Sequence, residues 1–224
     1  MKEKKTTHQN KIGAGRFLGF GLVEMAAASG LLFLFASLAE DVWFKEPFAW
    51  DAPTMLAIHS FSSPFLDKVM LVITQMGEIG AILAAIMLGI FFIVKHQRIN
   101  LVSLTVIFGG AVVLNTLMKT FFSRPRPEVF PPLAHALGFS FPSGHVAAST
   151  AVYGFLAILL WQNQHRIWAI LVGIWIPIVA FSRVYLGVHY PSDVLGAFAF
   201  TSLWLLLICV VKSSLRQGVE KRHN

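Results

Sequence analysis

The chain has 224 residues, 56% of them hydrophobic and only 13% charged, with a formal net charge of +7 and one cysteine. So little charge cannot cover a soluble globule, where about 25% is usual, and so much apolar side chain excludes intrinsic disorder. Cys209, alone in an apolar run, excludes a disulfide-built secreted module, which leaves an integral membrane protein whose cations must be placed.

Six stretches approach the roughly 20 apolar residues that carry a helix across a bilayer: residues 17–39, 71–94, 99–118, 146–161, 167–181 and 194–211. A transmembrane barrel would show alternating polarity, and runs such as Leu203-Trp204-Leu205-Leu206-Leu207-Ile208 do not alternate. The expected fold class is therefore all-α, a polytopic membrane protein with six transmembrane helices in one bundle. Residues 1–224 form a single membrane domain in this reading, with short basic tails at both ends.

Lys2, Lys4, Lys5, Lys11 and Arg16 precede the first span. Its apolar run is too long for the core of a secretory signal, so it reads as a retained helix. Glu24, inside that span toward the cytoplasm, pairs or snorkels. Residues 53–65 carry Met55, Leu56, Ile58, Phe61 and Phe65 and read as an amphipathic helix lying at the interface. Lys45 and Lys68, set among Glu40, Asp41, Glu46, Asp51 and Asp67, read as ordinary solvated pairs. Glu78 follows Gly77 at the outer end of the second span and faces either head groups or a site. Trp43, Trp50 and Trp161 suit interfacial aromatic belts.

The N-terminal tail, the second-to-third and fourth-to-fifth connections and the C-terminal tail hold twelve of the eighteen Lys and Arg residues. Positive loops favour the cytoplasm, so both termini are expected there, with residues 40–70, 119–145 and 183–193 facing outward. Basic tails beside spans meet anionic lipid head groups, and no nucleic-acid partner is expected.

Four outer cations stand at helix ends. Lys119, Arg124 and Arg126 fall within eight positions, with Pro125 and Pro127 fixing the exit from the third span. Phe141-Pro142-Ser143-Gly144-His145 precedes the fourth. Proline and serine there are ordinary capping chemistry, yet free amides at a helix start also bind anions, and Gly144 would let a ligand approach closely. Ser182-Arg183 closes the fifth span, and His189 and Asp193 stand four apart around Pro191, which starts the sixth helix. A carboxylate on one ring nitrogen fixes the tautomer and leaves the other as nucleophile or base. Lys119, Arg126, Arg183 and the Ser143 and Gly144 amides around His145 and His189 match the oxygens of a phosphoryl group in transfer. The sequence offers no carboxylate cage for magnesium here. Only His145, His189 and His135 are candidates for zinc, and the cations would repel a metal. No metal and no cofactor are expected.

These segments resemble the signature of the type 2 phosphatidic acid phosphatase superfamily, the membrane lipid phosphate phosphatases. A lysine, six residues and Arg-Pro match Lys119 and Arg126-Pro127; Pro-Ser-Gly-His matches Pro142 to His145. Ser-Arg, five residues, His, three residues and Asp match Ser182-Arg183, His189 and Asp193. Arg124 falls outside the motif spacing and is an accessory cation in this reading. The resemblance implies that His189 is the nucleophile of a phosphohistidine, held by Asp193. It implies that His145 is the acid for the leaving group and then the base for water. Lys119, Arg126, Ser143, Gly144 and Arg183 would hold the phosphate, without metal and open to inhibition by vanadate.

The implied activity is hydrolysis of a lipid phosphomonoester or diphosphate at the extracytoplasmic face of the plasma membrane. Undecaprenyl diphosphate stands first by family analogy, before phosphatidylglycerol phosphate, phosphatidate and diacylglycerol diphosphate. A lipid-carrier phosphotransferase and a non-catalytic lipid-phosphate-binding protein are the alternatives. Soluble vanadium haloperoxidases share the motif, but six spans argue against one. The sequence leaves the oligomeric state open.

Overall fold

A computed structural model describes the backbone of residues 3–223 and the side chains of residues 21–214 other than Glu24. Glu24, expected to pair or snorkel, and the basic residues of both tails (Lys2 to Arg16, and Arg216 to Arg222) lie outside the described side chains. Helices α1 (Glu3–Trp43), α2 (Asp51–His59), α3 (Pro64–Gln75) and α4 (Ala81–Val94) are followed by α5 (Arg98–Phe122), α6 (Gly144–Gln162), α7 (Arg166–Gly173), α8 (Trp175–Tyr185) and α9 (Pro191–His223). Among the described residues, six helical segments are long and apolar enough to cross a membrane. Helices suit lipid because each satisfies its own backbone polar groups. The protein is an all-helical integral membrane protein.

The second span is longer than its apolar run suggests. It extends over Pro64–Val94, starting where Ser63 accepts a hydrogen bond from the Leu66 N–H at 3.3 Å and Pro64 takes the first helical position, an arrangement that costs no helical bond. A π-helical turn, Met76–Gly80, joins α3 to α4, and the Tyr153 hydroxyl donates to the Met76 carbonyl at 2.6 Å. The fifth span is two helices meeting at Ile174. Pro177 has no N–H to give to Gly173 one turn back and crowds that carbonyl, so α7 ends there.

Helix α6 is the hub, packed against α4, α5, α7, α8 and α9. Ala147, Ala148, Ala151 and Gly154 let neighbours approach closely, the usual device where lipid offers no hydrophobic drive between helices. Phe92, Leu104, Ile107, Ala151, Phe155 and Leu205 fill the centre of the bundle. α1 leans mainly on α9, with Leu38 and Val42 buried and Phe35 against Phe141 and Phe200. Ile82, Ile86, Ile90 and Val94 of α4 face outward, as a lipid-contacting surface should.

The expected interfacial helix over residues 53–65 is shorter and more embedded. α2 ends at His59, and Met55 is fully buried against Val146, Val184 and Val194. Leu56, Phe61 and Phe65 remain exposed. The ends of α5, α8 and the π turn, the starts of α6 and α9, and α2 gather at one end of the bundle, where the site lies.

Candidate active site

His189 sits in the short connection between α8 and α9 and is 2% exposed. Its Nδ1 stands 3.5 Å from Asp193 Oδ2 and 3.5 Å from Ser140 Oγ. Pro191 opens α9, so Asp193 lies in the first turn and reaches back over His189. Asp193 is fully saturated: Oδ1 accepts from Arg124 Nη1 at 2.6 Å, and Oδ2 accepts from Ser140 Oγ and from the Tyr190 N–H at 2.8 Å. With Nδ1 carrying the hydrogen toward Asp193, the Nε2 lone pair points the other way, toward Arg126 Nη1 at 3.4 Å. Burial outweighs the pull of Asp193 and lowers the His189 pKa to about 4, so the ring is neutral at pH 7.

The three cations come from α5, the loop that follows it and α8. Helix α5 ends at Ser123 in a left-handed conformation, with its N–H on the Lys119 carbonyl, and Pro125 and Pro127 then keep the chain extended. Lys119 Nζ donates to the carbonyls of Phe139 at 2.5 Å and Ser140 at 3.3 Å. Arg126 donates to the carbonyls of Gly138 at 3.0 Å, Val188 at 2.7 Å and Leu137 at 2.7 Å, and burial lowers its pKa. Arg183, in the last turn of α8 and 3% exposed, donates through Nη1 to Thr74 Oγ1 at 2.5 Å. Its Nε is buried without a partner among the described residues. It lies within electrostatic reach of His145, His189 and Lys119.

The start of α6 completes the cluster and revises the capping expectation. Ser143 does not cap its own helix: its Oγ is buried with no partner among the described residues. Its N–H is taken by the Asp193 carbonyl at 3.2 Å. The Ser143 amide expected among the phosphate donors is thus already engaged, because α9 packs directly on this loop. The free donors are the Ser143 hydroxyl and the Gly144 amide, which has no carbonyl one turn back. A Cβ on Gly144 would come within 3.3 Å of Asn115 Oδ1, so this backbone is held tight against α5.

His145, in the first turn of α6, stands with Nε2 3.1 Å from Glu78 Oε2. Of the two readings of Glu78, the site-facing one is therefore what the fold adopts. Gly77 makes this possible. A side chain there would meet Val179 at 2.5 Å and the His145 Cβ at 3.0 Å, and the π turn, of a kind frequent at functional sites, aims Glu78 at the imidazole.

Two outer charges gain partners from the fold, and one of them corrects the sequence reading. Arg124, the accessory cation outside the motif spacing, lies between Asp193 and Asp51 and donates to Asp51 Oδ2 at 2.9 Å. Asp51 is no solvated partner of Lys45 but is 3% exposed. Sequence reasoning also passed over Asn115, Thr74, Ser140 and Tyr153. Asn115 Nδ2 holds the Pro142 carbonyl at 3.2 Å. A signal existed for two of these: Asn115 stands four residues before Lys119, and Thr74 four before Glu78, which puts each pair on one helical face. Among the described residues, no three His, Cys, Asp or Glu side chains converge as a metal-ligand group, and His135 lies exposed in the loop.

Comparison with known proteins follows the same segments. The model of the PAP2 superfamily matches residues 100–216. The chain is 39% identical over 158 residues to phosphatidylglycerophosphatase B of Bacillus subtilis (strain 168), covering 66% of this chain and 75% of that one. It is 30% identical over 172 residues to undecaprenyl-diphosphatase BcrC of the same organism, covering 73% and 85%. It superposes with a TM-score of 0.76 and 29% identity on the crystal structure of the first transmembrane PAP2 type phosphatidylglycerolphosphate phosphatase from Bacillus subtilis, over 84% of this chain and 96% of that one.

Proposed function

The chain belongs to the PAP2 superfamily and is a membrane lipid phosphatase, and from that premise we propose that His189 and His145 carry out the hydrolysis in two steps without a metal. In the first, His189 Nε2 attacks phosphorus and the bond to the lipid-side oxygen breaks. That oxygen takes a proton from His145, leaving a phosphohistidine. In the second, His145 takes a proton from water, the water oxygen attacks the phosphohistidine, and phosphate and neutral His189 are regenerated. Lys119, Arg126, Arg183, the Ser143 hydroxyl and the Gly144 amide bind the phosphoryl oxygens and stabilise the charge of the transition state.

The observation that carries this reading is the His189 environment. A buried ring tied through Nδ1 to Asp193, with Nε2 facing Arg126, is what a nucleophile needs and what mere phosphate binding does not. That favours a hydrolase over a non-catalytic binding protein. Both steps also require only protons and water, and the dense positive charge in the site disfavours a divalent cation.

For the substrate we propose a lipid diphosphate or phosphomonoester, with undecaprenyl diphosphate first. One relative is named for that substrate and another for phosphatidylglycerophosphate. We further propose that the site end of the bundle faces outward and that both termini are cytoplasmic, on the loop-charge asymmetry. The test is phosphate release in EDTA by the purified protein from a panel of lipid phosphates and diphosphates. A parallel arm adds vanadate outside sealed right-side-out vesicles. Release from at least one lipid, and inhibition from outside, are expected. Silence across the panel from folded protein overturns the reading, and inhibition only after permeabilisation overturns the orientation.

A pH profile checks the state of the nucleophile. The reactive form is unprotonated His189, whose pKa is lowered to about 4, so its population rises through that pH and is complete at neutrality. The acid limb of kcat/KM assigned to His189 should therefore lie near 4 and not near the value of about 6.5 for a free imidazole. A His189 titration followed by NMR with a midpoint near 6.5 would show that burial does not hold the ring neutral.

A further inference from the structure

Behind Asp193 lies a second layer of charge that the hydrolytic steps do not use. Asp51, the first residue of α2, accepts the Ser192 N–H on Oδ1 at 2.9 Å and the Ser192 hydroxyl on Oδ2. It therefore caps the start of α9 from a helix 141 residues away in sequence. Arg124 fills the space between the two carboxylates. Nη1 donates to Asp193 Oδ1 at 2.6 Å and to Ser192 Oγ at 2.8 Å, and Nη2 donates to Asp51 Oδ2 at 2.9 Å. The guanidinium also lies 4.2 Å from the Tyr190 ring centroid and 5.2 Å from that of Phe48, a stacking that Arg supports better than Lys.

Asp51, Ser192 and Asp193 are buried and the Arg124 side chain is 12% exposed, and none of these groups faces His145 or the Nε2 side of His189. Arg124 has its two terminal nitrogens committed to carboxylates on the far side of Asp193 from His189. Buried ions are tolerated only when paired and fully hydrogen-bonded, and removing one partner is costly. The arrangement fixes both the first turn of α9 and the carboxylate within it. His189 takes its orientation from that carboxylate.

We propose that Asp51 and Arg124 are positioning residues for the hydrolytic reaction, setting the orientation of the Asp193–His189 pair through Ser192 and the start of α9. This rests on the reading of His189 as nucleophile. Truncating the layer lets Asp193 turn away from Nδ1, which slows attack while leaving the phosphate cradle intact. The effect falls on kcat and spares binding.

The test uses the full chain in detergent with Asp51→Asn, Arg124→Gln and Ser192→Ala, each checked by thermal unfolding. Vanadate inhibition serves as the probe of the phosphate cradle. Asp51→Asn and Arg124→Gln should lower kcat about 10- to 100-fold, the size usual for partners behind a functional ligand. KM and vanadate inhibition should stay within about 2-fold, as for a group that does not contact the ligand. In an Asp193→Asn background, Asp51→Asn should add less than about 2-fold, because the two act through one group. Should the charge variants fail to fold, Ser192→Ala removes only the hydroxyl tie and must show the same kcat-selective loss.

Full additivity of Asp51→Asn with Asp193→Asn would overturn the proposal. So would a loss of vanadate affinity in Arg124→Gln matching its loss of kcat, since Arg124 would then be a phosphate ligand. Failure of the nucleophile reading looks different: there, His189→Ala keeps its activity whatever Asp51 does.

Discussion

His189→Ala is expected to abolish phosphate release, a fall of about 10⁴-fold or more in kcat, the scale seen when a nucleophile acting within a catalytic unit is removed. The methyl group leaves no atom to form the bond to phosphorus. The nearby hydroxyls do not replace it: Ser140 Oγ is committed to Asp193, and Ser143 Oγ has no hydrogen-bond partner to act as its base among the described residues. Stability should change little, because Arg124, Ser140 and the Tyr190 amide still satisfy the Asp193 carboxylate. The measurement is steady-state release together with trapping of an acid-labile phosphoenzyme from labelled lipid phosphate. Retained turnover, or a phosphoenzyme that still forms in this variant, would move the nucleophile elsewhere.

The second large effect is expected at His145, and its size should depend on what leaves. In the proposed mechanism His145→Ala removes the proton donor of the first step and the base of the second, each worth about 10²–10⁴-fold. A lipid alcohol needs that proton in order to depart, whereas a lipid phosphate released from a diphosphate, or an aryl oxide, needs it far less. The first step should therefore be slowed most for phosphomonoesters and least for diphosphates and aryl phosphates. With the latter the phosphohistidine should accumulate, because water still lacks a base. Equal losses for every leaving group would remove His145 from the acid role. Glu78, 3.1 Å from the ring, keeps the imidazole aimed into the mouth of the site.

The carbonyls of residues 137–140 give these experiments a structural frame. They accept hydrogen bonds from Lys119 and Arg126, so phosphate oxygens must share or replace those bonds. The loop itself is held to α5, with the Ser140 N–H on the Arg124 carbonyl at 2.8 Å. Asn115 fixes the Pro142 carbonyl from the same helix. Two cations and the Pro-Ser-Gly-His turn are thus set by one helix and one loop, which sequence spacing alone already hinted at.

The membrane class, the number of spans, the start of α9 at Pro191 and the grouping of the motif residues were all legible in the chain. Hydropathy and helix punctuation are local properties, readable over twenty residues without knowing the partner. The prolines after Lys119 and the four-residue step from His189 to Asp193 work in the same way. Helix ends were less legible: Ser63 and Pro64 extend the second span beyond its apolar run, because capping, and not hydropathy, sets where a helix starts.

What only the tertiary structure decided is which polar group meets which. Arg124 looked like a spare cation until it met Asp193, 69 residues away, and Asp51. Arg183 finds Thr74 across 109 residues, and Glu78 finds His145 because Gly77 lets the π turn pack directly against α6. In each case the sequence supplied a charge or a hydroxyl with several possible partners. A buried charge survives only with a partner and satisfied hydrogen bonds, and packing at one end of the bundle selected that partner. The sequence determined where the motifs of the proposed phosphate site lie; the fold determined which of their polar groups meet around the two histidines and which pair behind Asp193.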